Sequence, residues 1–78
     1  MDIEETNRRQ IQQMCENLRL LSEARGWTFG ELERRTGIPK KILVRAEQRG
    51  NIGADVLLTL SEFYQIKPHL LFFPLTQE

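Results

Sequence analysis

The sequence predicts an all-α protein, a compact bundle of five helices in one domain spanning residues 1–78. Apolar residues recur at helical spacing, and glycines and prolines separate the helical segments. No segment alternates polar and apolar residues as a strand does. A domain of 78 residues buries a modest share of its surface, and association with a partner is a common remedy for the resulting low stability.

The first predicted helix spans about residues 5–25, which include neither Gly nor Pro. Gly26 is a suitable end for this helix, because glycine readily adopts the left-handed conformation found after helix C-termini. The apolar residues recur at steps of three and four along one face, as in an amphipathic helix: Ile11, Met14, Cys15, Leu18 and Leu21.

The second helix, about residues 29–35, begins with the pattern of a capping box. The Thr28 hydroxyl is expected to accept from the Glu31 amide, while the Glu31 carboxylate reaches back to the Thr28 amide. Trp27, just before the cap, is expected to pack against Leu32 as a hydrophobic staple. Gly37 ends the helix.

Three further helices follow, at about residues 39–48, 54–64 and 68–72. Pro39 lies at the start of the third helix, where a missing N–H costs nothing, and Gly50 follows its end. Asp55 suits the positive first turn of the fourth helix. Pro68 and Pro74 bound the short fifth helix. The fourth helix has a broad apolar face: Leu57, Leu58, Leu60, Phe63 and Tyr64.

Composition excludes several classes of protein. Hydrophobic content of 40% and charged content of 28% fit a soluble globular domain, and no apolar run approaches the roughly 20 residues that span a bilayer. The acidic start Met1–Glu5 has no apolar core, so we expect no signal peptide, and the lone Cys15 fits a reducing cytoplasm. Since His69 has no partners at ligand spacing and no catalytic motif occurs, we expect no metal, cofactor, small-molecule substrate or enzymatic activity.

The positive charge is concentrated in the middle third of the chain. The net charge is zero, yet residues 27–50 contain six Lys or Arg against three Glu. A local basic surface binds phosphate even when the whole chain is neutral. Chance fluctuation in a short window is the alternative explanation.

Residues 28–48 predict two short helices joined by a glycine turn, the helix-turn-helix arrangement. The inward positions are apolar: Leu32, Ile38, Leu43 and Ala46. Spacings of one, three and four place another set on the outward stripe of the third helix: Lys40, Lys41, Val44, Arg45 and Gln48. Such a helix suits the major groove of double-stranded DNA. The alternative is a solvated charged face on a helical core.

Several short motifs between residues 17 and 73 occur together in one known family: Asn17-Leu18-Arg19, Ala24-Arg25-Gly26-Trp27-Thr28, Glu31-Leu32, Thr36-Gly37-Ile38-Pro39-Lys40, Leu43, Arg45, Glu47, Leu57-Leu58-x-Leu60 and Ile66-x-x-x-Leu70-Leu71-Phe72. In these motifs the chain resembles the Cro and phage-repressor (XRE-like) helix-turn-helix domains. The resemblance covers about three quarters of the chain and implies the λ-repressor-like fold.

The resemblance also implies a function. Domains of this family are transcriptional regulators, commonly repressors, that bind pseudo-palindromic operators as homodimers. It places four side chains where bases are read: Lys40, Lys41, Val44 and Arg45. It places five others near phosphate-contacting ends: Thr28, Phe29, Gln48, Arg49 and Asn51.

The sequence departs from the family pattern at several positions. Phe29 replaces a frequent Gln, and Glu33 replaces a frequent Ala at the helix crossing. The usual first-helix Arg partner of Glu47 is Ser22 here, which leaves Arg19 and Arg25 as possible substitutes. Residues 42–44 are also three apolar residues in a row, more than one buried face requires. Together with the departures above, this run keeps an alternative function open. In that alternative, the same fold is a protein-interaction module, such as an adaptor, an antitoxin-like protein or a sequestering partner.

The two ends of the chain exceed the helix-turn-helix core. Residues 1–13 form a helical extension that either lengthens the first helix or clasps a partner. The apolar tail, residues 67–78, either folds onto its own core or pairs with a second subunit. We favour a homodimer whose interface contains five tail residues: Leu70, Leu71, Phe72, Phe73 and Leu75.

Overall fold

A computed structural model describes residues 3–75 of the protein, and every helix in that range lies close to its predicted position. The α-helices are α1 (Ile3–Arg25), α2 (Phe29–Thr36), α3 (Lys40–Arg49) and α4 (Ala54–Tyr64). No strand occurs among the described residues, which confirms the all-α class. Residues 1–2 of the extension and 76–78 of the tail lie outside the described residues.

The prediction of a fifth α-helix is wrong, because Pro68–Phe72 forms a 3-10 helix. Its hydrogen bonds span three residues: the Leu70 amide donates to the Lys67 carbonyl at 2.9 Å, and the Phe73 amide donates to Leu70 at 3.3 Å. The segment between Pro68 and Pro74 is too short to establish an α-helical hydrogen-bond ladder, so the tighter turn forms.

The start of α2 confirms half of the predicted capping box. The Thr28 hydroxyl accepts from the Glu31 amide at 3.2 Å. The Glu31 carboxylate, however, bonds Arg34 at 2.6 Å and Arg35 at 3.3 Å instead of returning to the cap. Two guanidinium groups one turn ahead compete for the carboxylate, and each offers it a full positive charge, which the backbone amide of Thr28 does not.

The core is assembled from one side of every helix. All four predicted inward positions of residues 28–48 are buried, together with residues from α1, α4 and the 3-10 helix: Met14, Leu18, Leu32, Ile38, Leu43, Ala46, Leu60, Tyr64 and Leu71. Because α3 uses Leu43 and Ala46 to face this core, its opposite side faces solvent.

One buried amide joins the tail to α1. Asn17 is fully buried, and its Nδ2 donates to the carbonyls of Leu71 and Phe73, each at 2.7 Å. Its Oδ1 accepts from the Gln13 amide at 3.0 Å. The tail therefore packs partly onto its own core: Leu71 is completely buried, whereas Leu70 is 40% and Phe73 is 50% exposed.

Helix α1 crosses the end of α3 at very short range. Gly50, which follows α3, has a φ of 69°, and a side chain built there would collide with Ile11 of α1. The Cys15 thiol, one turn further along α1, donates to the Ala46 carbonyl at 3.5 Å. Between Ile3 and Leu75, none of the helices has the length and hydropathy that crossing a membrane requires.

We predict that Gly50→Ala destabilises the protein more than Gly37→Ala does. Both glycines have positive φ, but the space around Gly37 is open. Gly37→Ala should cost about 1–2 kcal/mol from backbone strain alone. Gly50→Ala should cost about 3 kcal/mol or more, because overpacking against Ile11 adds to that strain. Urea unfolding followed by circular dichroism measures both values, and equal losses would contradict the close crossing.

Candidate nucleic-acid interface

The solvent-facing side of α3 carries most of the predicted site residues. Spacings of three and four along Lys40–Arg49 place them on one side of the helix. They line one shallow depression together with Pro39 and Glu33: Lys40, Lys41, Val44, Arg45, Gln48 and Arg49. Val44 is half-buried and the other five are exposed. We call these six residues the α3 stripe.

The α3 stripe is a concentration of unpaired positive charge. Among the described residues, the ion pairs are Arg9–Glu5, Arg34–Glu31 and Arg35–Glu31, so none involves a cation of the stripe. The two neighbouring arginines of α2 thus share the Glu31 carboxylate, while the four cations of α3 have no ion-pair partner among the described residues. Glu33 is the one carboxylate that lines the depression. Unpaired cations close together attract polyanions.

The other three predicted site residues lie outside the stripe. The Thr28 hydroxyl accepts the capping bond of α2, which leaves its own proton free to donate. Phe29 is half-buried against the core, and its side chain offers apolar area and no hydrogen bond. It shares a second depression with Gln48. Asn51 is exposed just beyond α3, and its backbone amide donates to the Arg45 carbonyl at 3.3 Å.

A groove that the sequence did not predict lies between α1 and the end of α3. Polar side chains from both helices line it above a floor of Ile11 and Cys15: Glu4, Asn7, Arg8, Gln12, Gln48 and Arg49. Gln48 and Arg49 also belong to the α3 stripe, so the two depressions are adjacent. Helical spacing places Arg8 and Gln12 on one face of α1, but sequence alone does not reveal which helix that face meets.

Behind the stripe, Glu47 is half-buried between α1 and α3. Burial raises the pKa of its carboxyl, and the neighbouring Glu23 raises it further. The Arg19 charge and a hydrogen bond with Ser22 act in the opposite direction. The Ser22 hydroxyl also lies 3.0 Å from the Arg19 carbonyl, and its single proton serves one acceptor at a time.

Arg25, the other candidate partner of Glu47, is engaged elsewhere. Its guanidinium lies 5.6 Å from the ring centroid of Trp27 and 5.1 Å from that of Tyr64. Of the two arginines that the sequence left open, Arg19 is therefore the cation that acts on Glu47. Burial, followed by the Glu47 charge, raises the pKa of the Tyr64 hydroxyl to about 12, while Arg25 opposes the shift. Trp27 also packs against Phe63 of α4, with ring centroids 5.3 Å apart.

The stripe offers exposed, unpaired positive charge as its main chemistry. In the range 3–75, no three His, Cys, Asp or Glu side chains are grouped so as to hold a metal ion. Comparisons with protein-family models, with curated proteins and with solved structures find no match to this chain. The Cro-type resemblance therefore rests on the motifs in the sequence, and any function rests on the geometry of the site.

We predict that the Glu47→Gln variant gains stability relative to the natural protein as the pH rises. A carboxyl whose pKa is raised by folding is protonated in both states at low pH. As the pH rises through the folded pKa, ionisation destabilises the folded state. Glutamine does not titrate, so the variant escapes this loss. Unfolding free energies from urea titrations at about pH 4 and about pH 7 measure the difference. If the difference in unfolding free energy between the variant and the natural protein is the same at both pH values, or favours the natural protein more at the higher pH, the burial of Glu47 is contradicted.

Proposed function

We propose that the protein is a sequence-specific DNA-binding transcriptional regulator that places α3 in the major groove. The observation that carries the proposal is the α3 stripe, in which four unpaired cations surround Val44 on one exposed helix face. An α-helix with its side chains is about 10–12 Å wide, and the major groove of B-DNA is about 12 Å wide. The Cro-type motifs support the same function, commonly repression of transcription.

Positions along α3 suggest a role for each residue. Lys41 and Arg45 are four residues apart near the middle of the stripe, where they would donate to guanine O6 and N7. Val44 would pack against a thymine methyl group. Lys40 and Arg49, near the two ends, would bind phosphates. Glu33 also lines the depression, where its carboxylate would repel a phosphate.

The proposed fold within the all-α class is the λ-repressor-like bundle. Its support is the packing of α2 against α3 across the three-residue turn Gly37–Pro39. Leu32 of α2, Ile38 of the turn and Leu43 of α3 are all buried in the core. Glu33, at a position that is usually small, is exposed, so its side chain does not occupy the crossing between the two helices.

We also propose that the protein binds DNA as a homodimer. One helix-turn-helix makes few phosphate contacts, and such domains usually occupy two half-sites about 34 Å apart. Leu71 belongs to the core of its own chain, so the exposed Leu70 and Phe73 would supply most of the seam. The half-buried Phe72 and Leu75 would contribute at its edge.

A protein-interaction module of the same fold is the second candidate function. Exposed apolar side chains outside the α3 stripe favour it: Leu58 is 57% exposed and Phe73 is 50% exposed. An adaptor, antitoxin-like protein or sequestering partner would use such residues as contact points. The two candidates differ in their dependence on salt, because only DNA binding releases condensed counterions.

Titration of genomic DNA fragments with the purified protein at two salt concentrations tests the regulator. We expect binding that weakens steeply as salt rises and that selects a subset of fragments. Absence of binding at low salt would refute the proposal and leave the interaction module as the better candidate.

We predict that Arg45→Ala and Arg49→Ala have different effects on DNA binding. Arg45→Ala should weaken binding and relax sequence preference, since a base-reading Arg contributes about 1–3 kcal/mol of discrimination. Arg49→Ala should weaken binding to all sequences equally and reduce the salt slope by roughly one unit. Competition between selected and random duplexes measures both effects. If Arg45→Ala lowers specific and non-specific binding by the same factor, its assignment to the bases is wrong.

We predict that the protein sediments as a dimer at micromolar concentration and that Phe73→Glu shifts it to a monomer. The substitution would bury a charge in the proposed seam, whereas in the monomer this side chain is half exposed. A natural protein that remains monomeric at high concentration would contradict this seam without affecting the assignment of the α3 stripe.

A further inference from the structure

The groove between α1 and α3 continues the surface that the proposed function assigns to DNA. Gln48 and Arg49 line both the α3 stripe and this groove. A phosphate backbone that passes Arg49 therefore next meets side chains of α1. The first cation it reaches there is Arg8, flanked by the amides of Asn7 and Gln12.

The position of Arg8 is held by tight packing further along the same helix. Ile11 lies against Gly50 with no room for a side chain between them, and the Cys15 thiol contacts the Ala46 carbonyl at 3.5 Å. Arg8 precedes Ile11 by three residues, which is about 4.5 Å along the helix axis. Because α1 is one continuous helix, its contacts at Ile11 and Cys15 also place the backbone of Arg8 beside the end of α3.

The chemistry of the groove suits a phosphate ester. Two guanidinium groups and three side-chain amides line it, and guanidinium donors match phosphate oxygens in geometry and charge. Glu4, one turn before Arg8, also lines the groove, and its carboxylate would repel a phosphate. A phosphate contact is thus expected beside Arg8 and Gln12, between Glu4 and the end of α3.

We infer that the N-terminal part of α1 is a second phosphate-binding surface, in which Arg8 contacts the DNA backbone next to the contact made by Arg49. This inference rests on the proposed DNA-binding function and gives a role to the helical extension. The contact is independent of base sequence, because it is made to the backbone. It enlarges the footprint of each subunit beyond that of α3.

The neighbouring residue Arg9 provides a matched control. It has the same charge, is one position away and bonds to Glu5 at 3.2 Å on a different face of α1. Arg8→Ala and Arg9→Ala change the net charge equally, and alanine preserves the helix. Circular dichroism checks that both variants of the full chain remain folded.

The experiment measures the affinity of both variants for a random-sequence DNA duplex across a series of NaCl concentrations. Arg8→Ala should weaken binding about threefold at low salt and lower the salt slope by about 0.9. Arg9→Ala should leave the slope unchanged. Equal effects in both variants would overturn the inference, because they would show only a long-range influence of net charge.

Arg49→Ala, measured in the same series, separates failure of this inference from failure of the proposed function. If Arg49→Ala lowers the slope and Arg8→Ala does not, the groove is not a phosphate site, while the α3 stripe still binds DNA. If neither the natural protein nor any variant binds the duplex, both the inference and the proposed function are overturned.

Discussion

The buried amide of Asn17 connects α1 to the tail of the chain. Two carbonyl groups of the tail point into the interior, where unsatisfied carbonyls are costly, and one amide nitrogen donates to both of them. This arrangement allows Leu71 to complete the core against α1. The position of α1 then sets that of α3 through the contact between Ile11 and Gly50. Together these contacts set the orientation of the α3 stripe.

A surface that recognises another molecule works best when the residues beneath it are firmly packed. Leu43 and Ala46 anchor one side of α3 in the core, while the cations project from the other side. The support also has a cost. Glu47 lies in this region with a raised pKa, and Ser22 and Arg19 offset only part of its burial. A half-buried carboxylate so close to the stripe also lowers the local positive potential.

Helix positions were predictable because the relevant signals are local. The Thr28 cap and the glycines at 26, 37 and 50 lie within a few residues of the boundaries that they determine. The return bond of Glu31 was mispredicted because two arginines on its own helix compete for the carboxylate. The 3-10 helix was mispredicted because helical spacing over five residues does not distinguish it from an α-helix.

The unpredicted features all depend on contacts between distant parts of the chain. A polar residue such as Asn17 within an amphipathic helix gives no sign that it is buried until the tail carbonyls are placed beside it. The face of α1 that bears Arg8 was visible in the sequence, but its neighbour in α3 was not. By contrast, the residues of the α3 stripe were predictable, because a single short helix brings all of them together.

The bond between Asn17 and Leu71 joins residues 54 positions apart, and this separation affects how the chain acquires its structure during synthesis. Helices α1 to α3 can form as they emerge from the ribosome, but the residue that completes their core is made much later. Until residue 71 has left the exit tunnel, the apolar faces of α1 and α4 remain partly uncovered. Stable folding of this core is therefore expected only after residue 71 has emerged from the ribosome.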